Sequence, residues 1–340
     1  METVVCNLCG SAGMEPVAIH EEGSALSARV KFALVRCLEC GLLFVNPRPT
    51  WGEIGAYYPP VYYAGAAPRP STSIDRLGKR LSRLVKRWVM EDYYGYPAAH
   101  PDAGWRWLRK ILLFPEWTWR VLRGRDILPY VGEGRLLDVG CGGGVNLKSF
   151  QEQGWKVFGV EMNAQAVACA NARVGECVHA GTLEEAPFQQ EFFDVIVFSH
   201  SLEHMFSPRE ALARAWQLLK PGGMLVVTVP NAGSLEAKLF GTQWIQWDIP
   251  RHLYHFERPT LRRLLRNEGF QVRREKTGVG TAFFLASLER VWMHRLGREF
   301  SLHRIVKPFV RLWCLAVGHL GYGTEITIHA VKVSKPAARN

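Results

Sequence analysis

The central part of the chain alternates short apolar runs with amphipathic stretches. Runs of mostly apolar residues, typical of buried strands, lie at 136–139, 156–160, 193–198 and 224–229. Between them, apolar residues recur at helical spacing, as at 163–173 and 208–219. This order predicts a parallel sheet with helices on both faces, which is a doubly wound α/β fold.

The first predicted strand runs into a glycine-rich loop, Asp138-Val-Gly-Cys-Gly-Gly-Gly144. Such a loop lets a cofactor lie against bare backbone, next to the N-terminus of the following helix. A dinucleotide fingerprint starting at Gly140 would need a small residue where Val145 stands, and Asp138 would repel a pyrophosphate. A cofactor with ammonium and sulfonium groups suits Asp138, and Glu161 can accept the ribose hydroxyls. S-adenosylmethionine therefore fits this pattern better than a dinucleotide.

Five motifs, taken in order, resemble those of the class I S-adenosylmethionine-dependent methyltransferases. They are the glycine loop, Val160-Glu161, Phe193-Asp194-Val195-Ile196, Leu202-Glu203-His204 and Leu219-Lys-Pro-Gly-Gly223. The resemblance implies a seven-stranded, Rossmann-like sheet whose last strand, expected within 323–332, runs antiparallel. By position it implies that the cofactor contacts Asp138, Gly140, Cys141, Gly142, Gly144, Glu161, Met162, Gly181, Thr182, Leu183 and Ser199.

Four of the eight cysteines form two Cys-x-x-Cys pairs, each followed by glycine: Cys6 with Cys9, and Cys37 with Cys40. Four thiolates are enough to close a tetrahedral structural zinc site, and strands expected at 16–19 and 30–35 would complete a zinc ribbon over residues 1–50. Disulfides or unrelated buried thiols are the alternative, and a reducing compartment disfavours disulfides. A ribbon joined to these motifs resembles bacterial methyltransferases of secondary-metabolite and cell-surface glycan pathways, including sugar C-methyltransferases.

The segment after the fourth strand of the fold, where such sheets open toward substrate, contains two histidines. His204 is the stronger candidate for a catalytic base, because histidine near its reference pKa can accept a proton from a hydroxyl or an acidic C–H. His200 is the weaker candidate. The Glu203-His204 pair resembles the quinone O-methyltransferases. The alternative is that His204 only shapes the pocket.

A second constellation follows the fifth strand, within 241–256, and is rich in aromatic and polar side chains. Class I methyltransferases place substrate-covering insertions there, and the resemblance therefore implies a substrate wall or lid. Its predicted members are Trp244, Trp247, Asp248, Arg251 and His252. The alternative is a loop whose tryptophans fill a gap beneath the sheet.

The formal net charge of +11 is unevenly distributed. Residues 135–230 hold 10 Asp/Glu against 7 Lys/Arg, whereas residues 68–126 hold 13 Lys/Arg against 6 Asp/Glu. A basic amphipathic helix is predicted from Arg76 to Trp88, inside a helical, aromatic-rich linker or cap over 51–125, and a helical insertion is predicted at about 280–320. These basic faces suit an anionic membrane surface, and packing as a cap with solvated charges is the alternative.

No stretch approaches the ~18 apolar residues of a spanning helix, and the N-terminus lacks a basic leader with an apolar run. The chain is expected to be cytoplasmic, with a peripheral position on a membrane left open. The expected function is S-adenosylmethionine-dependent methyl transfer by residues 126–340. The acceptor atom would be oxygen, or carbon, of a small molecule, sugar or lipid-linked intermediate.

Two other functions stay open. One is an RNA methyltransferase with a zinc-finger substrate domain. Nucleic acid is the less favoured partner, because the central stretch is acidic and lacks the Asn/Asp-Pro-Pro-Tyr type of sequence that many nucleobase amine methyltransferases use. The other is a catalytically silent adaptor that uses the ribbon.

Overall fold

The structure is a computed structural model and describes residues 1–24, 27–58, 73–97, 105–122, 127–278, 280–297 and 303–333. Its strands are β1 Met14–Ser24, β2 Ser27–Cys37, β3 Leu43–Val45, β4 Arg135–Val139, β5 Lys156–Glu161, β6 Val178–Ala180, β7 Phe193–Ser199, β8 Leu219–Pro230, β9 Tyr254–His255, β10 Phe270–Gly278 and β11 Glu325–Lys332. Its helices are α1 Trp51–Ile54, α2 Ser73–Tyr93, α3 Arg106–Leu122, α4 Val145–Glu152, α5 Ala164–Val174, α6 Pro208–Leu218, α7 Leu235–Phe240, α8 Arg258–Asn267, α9 Thr281–Leu296 and α10 His303–His319.

The main sheet has seven strands in the order β10-β11-β8-β7-β4-β5-β6. The five strands from β4 to β8 are parallel, and β11 runs antiparallel to both of its neighbours. Six of the seven residues of β7 are buried, because helices cover both faces of the sheet. The predicted doubly wound fold with an antiparallel last strand is confirmed.

Strand β8 starts earlier than the sequence pattern indicates. The Lys-Pro-Gly-Gly sequence reads as a helix stop ahead of a strand at 224, yet Leu219 already pairs with Phe193 of β7. A register shift between Phe193 and Val195 accommodates the Pro-Gly segment at this end of the strand. Strand β8 therefore begins at Leu219 and not at Met224, and its position in the sheet is unaffected.

The N-terminal strands form a second sheet, in the order β1-β2-β3-β9. Its fourth strand comes from the segment after β8, since Leu43 pairs with His255 and Phe44 with Tyr254. Leu42 and Phe44 belong to the same hydrophobic cluster as residues of the main sheet. The ribbon is thereby fixed against the rest of the protein and positions the chain that follows it.

Helices α2 and α3 pack on the main sheet. Val89, Met90 and Leu113 are buried in one cluster with Trp155 and Val195. The side chains at 73–81, which include the predicted basic residues Arg76, Lys79 and Arg80, lie outside the described part of the structure. Within the described residues, no helix has the length and apolar character needed to cross a bilayer.

Candidate active site

The glycine loop between β4 and α4 adopts a backbone that favours glycine. Gly140, Gly142 and Gly144 have φ angles of 73°, 52° and 74°. A Cβ at Gly140 would lie 2.6 Å from Cβ of Ser201, and a Cβ at Gly144 would lie 2.9 Å from Cα of Ala170. At Gly142 no heavy atom lies within 4 Å of the Cβ position, so this residue leaves backbone open to a ligand.

Glu161, the last residue of β5, is tied to this loop. Its Oε2 accepts a hydrogen bond of 2.9 Å from the N–H of Gly142, and its Oε1 accepts one of 2.9 Å from the N–H of Asn163. Only 9% of the residue is exposed. The carboxylate therefore has a fixed orientation beside the open backbone of the loop.

Asp138 lies beneath the loop with 1% of its surface exposed. Among the described residues, its Oδ2 has no hydrogen-bond partner. Burial, followed by the charge of Glu161, raises the pKa of Asp138 from 3.8 to about 7. A buried carboxylate oxygen without a partner is costly, and a cationic ligand would offset this cost.

The loop opens into a cavity of about 1040 Å³ at the carboxyl ends of the parallel strands. Many of the predicted site residues line it: Gly140, Gly142, Glu161, Met162, Gly181, Thr182, Leu183, His200 and His204. Asp138, Cys141, Gly144 and Ser199 are not among its lining residues. Thr182 donates its N–H and hydroxyl to Glu185 at 3.0 and 3.1 Å.

One wall of this cavity comes from the segment that follows the ribbon. It is formed by Trp51, Ile54, Gly55 and Tyr58. These residues were not predicted, since only the docking of the ribbon brings them to the cavity. Other lining residues that were not predicted are Val145, Asn163, Cys169, Arg173, Glu184, Glu185, Ser201, Met205, Phe206, Ser207 and Glu210. Ser201 and Phe206 had a usable signal, because they flank the Glu203-His204 pair.

His204 is held by contacts to one ring nitrogen. Its Nδ1 lies 3.0 Å from the carbonyl oxygen of Arg251 and 2.9 Å from Oη of Tyr58. Because a carbonyl oxygen only accepts, Nδ1 carries the proton in the neutral ring, and Nε2 keeps the lone pair. Burial, followed by the charge of His252, lowers the pKa of His204 to about 4, below the reference value assumed from the sequence.

His200 lies between two carboxylates and has a left-handed φ of 53°. Its Nε2 is 3.0 Å from Oε1 of Glu325, and its Nδ1 is 3.5 Å from Oε1 of Glu203. Burial alone would lower the pKa of His200, but the neighbouring carboxylates of Glu203 and Glu325 raise it to about 10. The raised pKa favours the imidazolium at neutral pH, which argues against the predicted role of His200 as a base.

The two predicted lid tryptophans do not line the main cavity. Trp244 is fully buried in a cluster with Ala237 and Phe240, which corrects its predicted place in the substrate wall. Trp247 lines a smaller cavity of about 420 Å³, together with Arg36 of the ribbon.

The other three predicted lid residues lie behind His204. Asp248 accepts a hydrogen bond of 3.0 Å from Nε of Arg251, and Nη1 of Arg251 donates to the carbonyl oxygen of Tyr57 at 2.9 Å. The ring of His252 lies 4.6 Å from that of His204, centroid to centroid. These residues therefore support His204 and join it to the wall that follows the ribbon.

The four paired cysteines meet in the N-terminal ribbon. Sγ of Cys6 lies 3.4 Å from Sγ of Cys40, and Sγ of Cys9 lies 3.5 Å from Sγ of Cys37. All four sulfurs lie within 4.8 Å of one another. These separations are far longer than the ~2.05 Å of a disulfide bond, and such a cluster is typical of a tetrahedral metal site.

Comparison with known proteins places the fold and the cavity in a family. A family model described as a methyltransferase domain matches residues 106–275, half of the chain. The chain belongs to this family. Two curated relatives of this chain are both named ubiquinone biosynthesis O-methyltransferase. The relative from Aromatoleum aromaticum is 33% identical over 150 residues, which cover 40% of this chain and 64% of that protein.

The second relative, from Maricaulis maris, is 28% identical over 151 residues, which cover 41% of this chain and 59% of that protein. The chain thus spans less than two thirds of the length of these two relatives. A solved structure from Thermotoga maritima, described as a possible histamine N-methyltransferase, covers 67% of this chain and 100% of that chain at 20% identity, with a TM-score of 0.44. That structural similarity is too low to carry an argument.

The cofactor of this family is S-adenosylmethionine, and the residues of this methyltransferase fit it. The unpartnered Oδ2 of Asp138 suits a cation, and the open backbone at Gly142 allows a ligand to approach closely. A dinucleotide would instead bring a pyrophosphate to the buried carboxylates of Asp138 and Glu161.

Proposed function

We propose that this methyltransferase transfers the methyl group of S-adenosylmethionine to a hydroxyl oxygen of a small molecule. One observation carries the proposal. His204, neutral at physiological pH and with Nε2 unprotonated, lines the same cavity as the glycine loop and Glu161. The names of the two curated relatives, which are O-methyltransferases, support oxygen as the acceptor atom.

In this proposal Asp138 supplies negative charge to the ammonium end of the cofactor from beneath the loop, Gly140 and Gly142 offer backbone, and Glu161 accepts the ribose hydroxyls. Gly181, Thr182 and Leu183 border the adenine. When bound, the cofactor supplies an electrophilic methyl group on a sulfonium. Because this group needs little activation, the protein contributes mainly by aligning the acceptor and taking its proton.

Nε2 of His204 accepts the hydroxyl proton. Its low pKa makes His204 a weak base, but one that is fully available at neutral pH. The charge of Glu203, which is completely buried, favours the imidazolium that forms. His200 is already protonated and binds Glu203 and Glu325, so it positions the carboxylates and takes no proton itself.

We also propose that zinc binds Cys6, Cys9, Cys37 and Cys40 as a structural ion. Each Cys-x-x-Cys segment, here called a knuckle, closes with the same backbone hydrogen bond. The N–H of Gly10 donates to the carbonyl oxygen of Cys6, and the N–H of Gly41 donates to the carbonyl oxygen of Cys37. With four protein ligands the ion has no open position for chemistry. Reduced thiols in this arrangement suit a cytoplasmic location.

The ribbon supports the acceptor side of the cavity directly. Asn7, inside the first knuckle, donates from Nδ2 to Oγ of Ser207 at 3.1 Å, and its Oδ1 accepts from the N–H of Arg209 at 3.0 Å. Arg48 donates to the carbonyl oxygen of Phe206 at 2.8 Å. The ion would therefore stabilise the segment from Phe206 to Arg209, which follows His204 in the chain, and leave the glycine loop unaffected.

A sugar or a lipid-linked hydroxyl compound falls within the proposed acceptor class. The cavity, at about 1040 Å³, slightly exceeds the ~300–1,000 Å³ range of ligand pockets, which leaves room for an acceptor beside the cofactor. Carbon is the second candidate for the acceptor atom, because a neutral histidine also serves an acidic C–H.

The test uses S-adenosylmethionine with an isotopically labelled methyl group. Parent protein is incubated with a polyphenol, a nucleoside-diphosphate sugar and total RNA, and the label is located by mass spectrometry and NMR. We expect a labelled methyl ether on a small molecule. Label on a nucleobase nitrogen or on carbon alone would refute oxygen transfer, and failure to bind S-adenosylhomocysteine would refute the cofactor assignment.

A further inference from the structure

Helices α9 and α10 form a hairpin inserted between β10 and β11, and its outer surface is apolar. Leu285 of α9 packs in the core of the hairpin against Val310 and Cys314 of α10. Large apolar side chains remain exposed along α10, at Ile305, Phe309, Leu312 and Trp313, and just after it, at Leu320. Phe309 and Leu312 are 71% and 66% exposed. An exposed apolar stripe of this length is typical of an interaction surface.

The hairpin is also basic. Residues 281–322 contain six Lys/Arg and two Asp/Glu, and no acidic residue lies in 303–322. Lys307 and Arg311 are exposed, and neither has an acidic partner among the described residues. Helix α3 also exposes tryptophans, but its arginines are in ion pairs, Arg109 with Asp92 for example. Among the described residues, the hairpin therefore combines exposed apolar side chains with cations available to an anionic partner.

The hairpin arises beside the cavity. Gly278, where β10 ends, pairs with Glu325, where β11 begins, and Glu325 pairs with Pro230 at the carboxyl end of β8. Glu325 is the partner of His200, which lines the cavity. Phe283, in the first turn of α9, lies 6.3 Å from the ring of His200, centroid to centroid.

We propose that the α9–α10 hairpin docks on an anionic lipid bilayer, so that the cavity opens next to the membrane and receives an amphiphilic acceptor. The statement about the acceptor rests on the proposed methyl transfer, whereas the docking does not. Exposed apolar side chains enter the interfacial region of the bilayer, and the lysine and arginine side chains bind its headgroups. A second copy of this chain would instead bring two basic hairpins together, with repulsion between like charges.

The test is co-sedimentation of the full-length protein with vesicles of phosphatidylcholine, with and without phosphatidylglycerol. We expect binding to the anionic vesicles that weakens with added salt, and little binding to neutral vesicles. The double variant Phe309→Ser/Leu312→Ser should lower the partition coefficient by about tenfold or more, because it removes two apolar anchors. Lys307→Gln/Arg311→Gln should lower binding to anionic vesicles by about tenfold.

The matched control is Ile19→Ser/Leu38→Ser on the ribbon, where the side chains are 64% and 62% exposed. It should bind vesicles as the parent does. Melting temperature and S-adenosylhomocysteine affinity report the fold of every variant, and the Lys307/Arg311 variant decides the test if the apolar variant is unstable.

Three outcomes would overturn the proposal. The first is no binding of the parent to anionic vesicles at low salt, and the second is an equal loss of vesicle binding in the ribbon control. The third is a parent that forms a dimer and binds no vesicles, with the dimer absent in the Phe309→Ser/Leu312→Ser variant. The readout requires no methyl transfer, so failure here leaves the proposed reaction untouched.

Discussion

Asp138→Asn should stabilise the cofactor-free protein and weaken cofactor binding, two effects of opposite sign. Asp138 is buried and its Oδ2 lacks a hydrogen-bond partner, so its negative charge is costly until a cation arrives. Asparagine keeps the shape and removes the charge. If Asp138 had a purely structural role, the substitution would lower stability and leave the affinity for the cofactor unchanged.

The magnitude follows from the pKa of Asp138, which burial and the charge of Glu161 raise from 3.8 to about 7. Such a shift corresponds to a cost of the ionised form on the order of 4 kcal/mol. Because the pKa is raised, the contribution of this group to stability is present below pH 3.8 and is lost as the pH rises through about 7. The amide still buries a polar group, and we expect a net gain of about 1–3 kcal/mol at pH 8 and little gain at pH 4. Loss of the charged interaction with the ammonium should cost about 1–3 kcal/mol of binding, which is roughly a 5- to 150-fold weaker Kd.

The assay is thermal and chemical unfolding of the cofactor-free protein at several pH values, with calorimetric titration of S-adenosylhomocysteine. Asp194→Asn is the matched control, because Asp194 is also buried but accepts hydrogen bonds from the N–H groups of Glu133 and Arg135 at 3.0 and 2.9 Å. The control should lose stability and keep its affinity. An Asp138→Asn variant that behaves like the control would refute the reasoning.

Two further predictions concern the metal and His200. Removal of zinc by a chelator should increase hydrogen exchange in residues 1–58 and 203–210 and lower turnover, because metal binding is linked to folding of the ribbon. The affinity for S-adenosylhomocysteine should change less than about twofold. An unchanged exchange pattern would argue against the metal. His200→Asn should destabilise the protein at neutral pH by about 1–2 kcal/mol after allowance for solvent screening. The contribution of His200 to stability is present below pH 6.5 and is lost as the pH rises through about 10. The free energies of unfolding of parent and variant, measured with urea, should therefore converge at high pH. A difference between them that stays constant with pH would contradict the imidazolium.

The main sheet was predictable because its strands are buried on both faces and therefore appear as short apolar runs. Serine at 207 and proline at 208 are a local signal for the start of α6, which begins at Pro208. The start of β8 was not predictable, since Pro-Gly-Gly is a usual break in a strand and only pairing of Leu219 with Phe193 extends the strand through it. Likewise, β9 is too short to show a pattern and exists because it pairs with β3.

The cofactor side of the site was predictable from contiguous motifs, whereas the electrostatics of the histidines depend on long-range contacts. Tyr58 approaches His204 across 146 residues of chain, and His200 becomes an imidazolium because Glu325 arrives from the last strand. Trp244 was predicted to belong to a lid because its segment is rich in aromatic residues. In the structure it is buried against Phe240, and this packing is not visible in the sequence. Sequence patterns report local periodicity, and these features are set by tertiary docking.

The most direct test of the account is the methyl-transfer rate of His204→Ala relative to the parent, on the acceptor identified with labelled cofactor. The account predicts a fall of ~10²–10⁴-fold, the usual effect of losing a general base, with S-adenosylhomocysteine affinity nearly unchanged. A fall of less than about fivefold, or a parallel loss of cofactor affinity, would contradict the assignment of His204 as the proton acceptor.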